Sequence, residues 1–149
     1  MTSLVLALVL TALSPSISEP AAAPAVIQNA VRDVPVGDPL RRTLLDALRR
    51  PVEDEVNQPV RFVVDRLRVQ GDWAYYAGEI QAPNGRAIDF TRAGFDEVIA
   101  EGMFDGPTTY GLLRRQGNRW RVVVHVIGPT DVAYLAWPGE YGAPASLFE

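Results

Sequence analysis

Cysteine and lysine are both missing from this 149-residue chain, and histidine occurs once, as His125. Without cysteine there is no disulfide framework, no thiolate nucleophile, no cysteine-ligated zinc and no lipid-modified cysteine behind a signal. Packing alone must hold the fold. One histidine without cysteine cannot build a histidine-rich zinc site, and Glu53, Asp54 and Glu55 read as a solvated helix face rather than as ligands. No Gly-x-Ser-x-Gly frames a nucleophilic serine. The fourteen basic residues, all arginine, stand against eighteen acids for a net charge of −4, which offers no basic face to nucleic acid. No motif calls for a metal or a cofactor, and none is expected.

Apolar residues concentrate first at the amino terminus, where Leu4 to Leu13 form a run of about ten. A bilayer-spanning helix needs ~20, and Pro15 and Pro20 would stop a buried helix soon after it began, so the run reads as an export signal rather than as an anchor. Ser16 and Ser18 satisfy the small-residue rule and place the cut after Ser18. Ala21 and Ala23 satisfy it too, but Pro24 would then follow the cut. Residues 1–18 are therefore expected to be a signal peptide and 19–35 a Pro/Ala-rich leader. Residues 36–149 would form one periplasmic or secreted domain with no membrane span after signal removal.

Asp38-Pro39 is a helix start with a mechanism: the carboxylate accepts a free first-turn N–H, and proline surrenders a donor that would have been orphaned. Leu44, Leu48, Val52 and Val56 recur every four residues and lay an apolar stripe on one face. The stripe passes Pro51 unbroken, which predicts one kinked helix over 39–56, with the fold beginning near Val36.

The period then falls to two. PVRFVVDRLRV and WAYYAGEI, joined at Gly71-Asp72, read as a β-hairpin. A register pinned at that turn sets Leu67 opposite Tyr76 and Asp65 opposite Gly78. It groups Val63, Leu67, Val69, Tyr76 and Ile80 on one face, with Phe62, Val64, Arg66, Arg68, Tyr75 and Glu79 on the other. After a turn at Pro83-Asn84-Gly85, the spacing of Phe95, Val98, Ile99 and Met103 fits a short helix, and an irregular excursion is the alternative. TTYGLLRR and RWRVVVHVI form a second hairpin about Gly117-Asn118. Its register lines Leu113, Trp120, Val122, Val124 and Val126 on one face, with Tyr110, Leu112, Val123, His125 and Ile127 on the other.

Both faces of that hairpin are apolar, so one helix leaves one face bare. The cover is the C-terminal segment, an apolar ligand or a second copy of the chain. The segment itself carries Tyr134, Leu135, Trp137, Tyr141, Leu147 and Phe148, all expected to dock on the sheet. Thr130 or Asp131 is placed to cap helical turns ending at Trp137, before Pro138.

These elements describe an α+β fold: one long N-terminal helix packed on a curved antiparallel sheet of about four strands. Residues 39–81 and 108–127 resemble in this order the cystatin-like and nuclear transport factor 2-like folds. DALRRPVEDEVNQPVRFVV, VQGDWAYYAG and IGPTDVAYLAWPGEYGAP resemble small exported proteobacterial proteins of unassigned function. The cystatin inhibitory loops do not carry over, since Gln58-Pro59-Val60-Arg61-Phe62 lacks the glycine and Trp137-Pro138 reverses the Pro-Trp order.

The resemblance covers enzymes, binding modules and scaffolds alike. Here it leads to the expectation of a non-enzymatic exported domain that acts by binding or assembly. Its partners would be a small apolar ligand, an envelope protein, or a second copy in a homodimer through the sheet face. Trp73, Tyr110, His125 and Asp131 are the candidate binding residues. The alternative is a small-molecule enzyme of the nuclear transport factor 2-like type, with His125 and Asp131, or His125 and Tyr110, as an acid–base pair inside the sheet cone.

Overall fold

The computed structural model describes residues 29–149. The expected signal peptide, its cleavage after Ser18 and the leader up to residue 28 lie outside the described residues. Among the described residues no helix is long and apolar enough to cross a membrane.

The first helix, α1 (Pro39–Val56), forms where its cap and stripe require it. Asp38 stands in extended backbone and its Oδ1 accepts from the Leu40 N–H at 2.9 Å. Leu44, Leu48, Val52 and Val56 are all buried, and the helix runs through Pro51 to a left-handed cap at Asn57. It is not the first element. A two-residue strand, β1 (Arg32–Asp33), precedes it and pairs with β2 (Arg61–Gln70). Val34 just after β1 is 1% exposed, so ordered structure starts upstream of Val36. Arg32 reaches from β1 to the Asp38 carboxylate at 2.8 Å and ties the strand to the helix cap.

The sheet has five strands, not about four, in the order β1-β2-β3-β4-β5, every neighbour antiparallel. β2 and β3 (Trp73–Gln81) are the first hairpin, and β4 (Thr108–Gln116) and β5 (Arg119–Ile127) the second. Gln70↔Trp73 and Gln116↔Arg119 close the turns at Gly71-Asp72 and Gly117-Asn118.

Further from the turns both expected registers fail for the same reason. The β2–β3 pairing steps from Arg66↔Ala77 to Val64↔Gly78, so Asp65 is an extra residue. The β4–β5 pairing steps from Leu113↔Val122 to Leu112↔Val124, so Val123 is another. A bulge reverses the side-chain alternation beyond it. Phe62 and Val64 therefore join Leu67, Val69, Tyr76 and Ile80 under α1, and Val63 moves to the opposite face. In β5, Trp120 and Val122 stay under the helix with Ile127, while Val124 and Val126 turn to the other side.

The second face is covered by the C-terminal segment of the same chain, so no second copy is needed to bury it. Residues Ala133–Ala136 make a 3₁₀ turn that runs into α3 (Trp137–Tyr141), followed by a 3₁₀ turn at Ala145–Leu147. Tyr134, Trp137, Leu147 and Phe148 pack on Tyr75 and Leu112, but Leu135 and Tyr141 are exposed. Neither Thr130 nor Asp131 caps these turns. Pro138 lies in the first turn of α3 instead of ending a helix, a position where its missing N–H costs nothing.

Between the hairpins, a 3₁₀ turn at Phe90–Ala93 leads to α2 (Asp96–Ala100). The Phe90, Phe95 and Phe104 rings pack together at 4.7–5.6 Å, whereas Ile99 and Met103 are exposed rather than part of an apolar stripe.

Two close approaches depend on glycine. A methyl on Gly111 would lie 2.9 Å from Leu48 Cδ1, where α1 sits on the sheet. A methyl on Gly78, beside the β2 bulge, would lie 2.1 Å from the Val63 carbonyl oxygen. Because that neighbour is backbone, Gly78→Ala is expected to destabilise the fold by about 2 kcal/mol or more, read as a lowered midpoint in urea denaturation.

Arg32's hydrogen bond, ahead of that from the Leu40 N–H, holds the Asp38 carboxyl below its ordinary 3.8. A carboxyl lowered in this way stabilises the fold fully above 3.8 and loses that contribution as pH falls through the lower folded-state value. Asp38→Asn keeps the side-chain acceptor and removes the charge. It is expected to flatten this part of the stability profile, measured by denaturation at a series of pH values from about 5 downward.

Candidate functional site

The four residues expected to form a site do not come together. His125 lies on the α1 face of β5, and its Nε2 is 2.6 Å from Glu55 Oε2. Glu55 is thus a partner of the histidine. Glu53 is also engaged: its Oε1 accepts from the Val60 N–H at 2.9 Å, while Arg49, one turn earlier, donates to the Val60 carbonyl. The acids of α1 are therefore not simply a solvated face.

Asp131 is exposed in the loop after β5 and makes no ion pair with His125. Trp73 begins β3 on the second face, with the Arg114 guanidinium 4.9 Å from its ring centroid. Tyr110 also faces the second side, opposite to His125, because its strand neighbour Gly111 is the residue that pairs with His125.

Of these residues only Tyr110 lines the cleft with the strongest claim to be a site. The cleft, of about 330 Å³, opens on the second face between β2, β3, β4 and the turn at Ala133–Ala136. Asp65, Arg66, Tyr75, Glu79, Tyr110 and Tyr134 carry its chemistry. The β2 bulge delivers Asp65, the period-two alternation of β3 delivers Tyr75 and Glu79, and the C-terminal segment delivers Tyr134. Tyr134 sits 5.5 Å from Tyr75 and 4.9 Å from Tyr110, centroid to centroid, at interplanar angles of 50° and 71°. The three rings meet at angles, as walls, and do not stack.

Tyr75 is 2% exposed, and its hydroxyl makes no hydrogen bond among the described residues. No fully enclosed side-chain polar atom there lacks a partner, so the Tyr75 hydroxyl must be reached from the cleft it lines. Burial, then the neighbouring Tyr134 and Tyr110, push the Tyr75 phenol far above its usual range. Tyr110 is raised too, by burial first and then by Tyr134, Asp105 and Asp65. Both phenols therefore stay protonated near neutral pH and present O–H donors and lone pairs, not a base or a nucleophile.

Asp65 and Glu79 make no ion pair among the described residues. Arg66 instead donates to the carbonyls of Phe148, at 3.2 Å, and Glu149, at 3.1 Å. A larger cleft of about 570 Å³ lies beside the first hairpin turn, but its charged groups are already matched, Arg115 with Asp72 at 2.7 Å and Arg32 with Asp38 at 2.8 Å. The tyrosine cleft keeps its polar groups uncommitted. Among the described residues no three acids or histidines cluster so as to hold a metal ion.

The chain matches no family model, no curated protein and no solved structure. The likeness to cystatin-like and nuclear transport factor 2-like folds therefore rests on its order of elements.

Asp65, Tyr75, Glu79 and Tyr134 escaped the reading of the sequence as site residues. The available signal was a charged residue interrupting FVVDRLRV near the facing Gly78, a pattern that marks a bulge. The hydroxyls supply a direct check of the geometry. Tyr76 donates towards the Glu79 and Val63 carbonyls at 3.1 and 3.3 Å, so Tyr76→Phe is expected to cost about 1 kcal/mol in urea denaturation. Tyr75→Phe is expected to leave the midpoint in place, since its hydroxyl has no protein partner to lose.

Proposed function

We propose that this is an exported, non-enzymatic binding protein of cystatin-like or nuclear transport factor 2-like type, acting in the periplasm or outside the cell and holding a small ligand in the tyrosine cleft. The apolar run from Leu4 to Leu13 supports export. The observation that carries the binding role is the Tyr75 hydroxyl, buried, unpartnered and open only to the cleft. A concave site with a few converging polar groups is what small-ligand recognition needs. Protonated phenols suit holding more than reacting.

The enzymatic reading requires His125 beside Asp131 or Tyr110. The Glu55 pairing and the opposite facing of Tyr110 weigh against it.

A thermal-shift screen of a chemically broad small-molecule library tests the role on the wild type, Tyr110→Ala and His125→Asn. Ligands are expected to raise the melting temperature of the wild type and of His125→Asn, and to lose most of that effect in Tyr110→Ala. Hits that depend on His125, or that are converted to product during incubation, would overturn the reading in favour of an enzyme.

A further inference from the structure

We infer that the tyrosine cleft selects an organic cation, a small amine or alkylammonium group. The inference rests on the binding role proposed above and adds the class of ligand.

The first observation is charge. Asp65 and Glu79 both line the cleft, and neither has a basic partner among the described residues. The one guanidinium at its rim, Arg66, is directed to the Phe148 and Glu149 carbonyls. An anionic ligand would meet two carboxylates and a cation already engaged, while a neutral ligand would leave both carboxylates unmatched.

The second observation is independent of charge. Tyr75, 2% exposed and without a hydrogen bond, offers a lone pair into the cleft to an N–H donor. Around it, Tyr110 and Tyr134 stand at angles to one another, 71° apart in plane, so that more than one ring can present its electron-rich face to the same centre. That face attracts ammonium groups, and tilted aromatic walls are the arrangement that recognises them. A volume of about 330 Å³ admits a ligand of a few heavy atoms beyond its charged head.

The test is isothermal titration of the full chain with choline, with putrescine, and with 3,3-dimethylbutan-1-ol, which copies the shape of choline without its charge. Choline or putrescine is expected to bind saturably and at least about tenfold more tightly than the neutral alcohol. Asp65→Asn and Glu79→Gln, both exposed and close in shape to the originals, are each expected to weaken the cation about tenfold, and added salt to weaken it further.

Equal affinity for the alcohol, unchanged in Asp65→Asn and Glu79→Gln, would overturn the cation while leaving a ligand cleft in place. So would library ligands that need Tyr110 when neither cation binds. If neither the cations nor any library compound binds in a Tyr110-dependent manner, the cation and the binding role fall together.

Discussion

Asp65 fits into β2 as an extra residue only because Gly78, beside it on β3, has no side chain to meet the Val63 carbonyl oxygen 2.1 Å from where a methyl would be. Much of the molecule depends on that close approach. On one side of the bulge Phe62 and Val64 turn towards α1, where Phe62 packs edge-on to Tyr76 at 5.2 Å and lies beneath the Arg49 guanidinium at 5.4 Å. On the other side Arg66 and Arg68 turn away from the helix and donate to the carbonyls at Phe148 and Glu149, fastening the C-terminal segment to the second face. Asp65 itself is left in the cleft between these regions. A bulge placed elsewhere would change the core, the docking of the segment and the site together.

The sheet divides the polar chemistry of the chain into two kinds. Under α1 the charged groups are matched across elements: His125 with Glu55, and Glu53 and Arg49 with the backbone of Val60. Such contacts orient α1 over the strands it covers. On the second face the polar groups converge without matching one another, and aromatic packing holds them in place. Phe148 lies 4.8 Å from Tyr75 and 6.3 Å from Tyr134, so the residues that close the second core also position two walls of the cleft. Stability and recognition share the same rings there.

Local chemistry was readable from the sequence wherever one residue type has one physical solution. Asp38-Pro39 starts α1, the four-residue stripe runs past Pro51, and Gly71-Asp72 and Gly117-Asn118 close the hairpins. The strand faces were not readable, because each register was carried outward from its turn and a single inserted residue reverses all that follows. β1 was hidden for a different reason: two residues have no periodicity to detect, and their strand state comes entirely from pairing with Arg68 and Val69. The site followed the faces. His125 stood out by its rarity, but the residues that converge came from four segments, and only the bulge and the docked C-terminal turn bring them together.

The bulge at Val123 bears on how this protein coexists with its own copies. β5 ends the sheet, and a straight terminal strand would present a row of free backbone groups to any neighbouring chain. Val123 interrupts that row midway, and Arg119 and Arg121 near the turn place positive charge along the same border. Two such borders brought together would set arginine against arginine and one irregular ladder against another. The irregularity that defeats a simple reading of β5 thus also protects the chain from polymerising through its sheet at high local concentration.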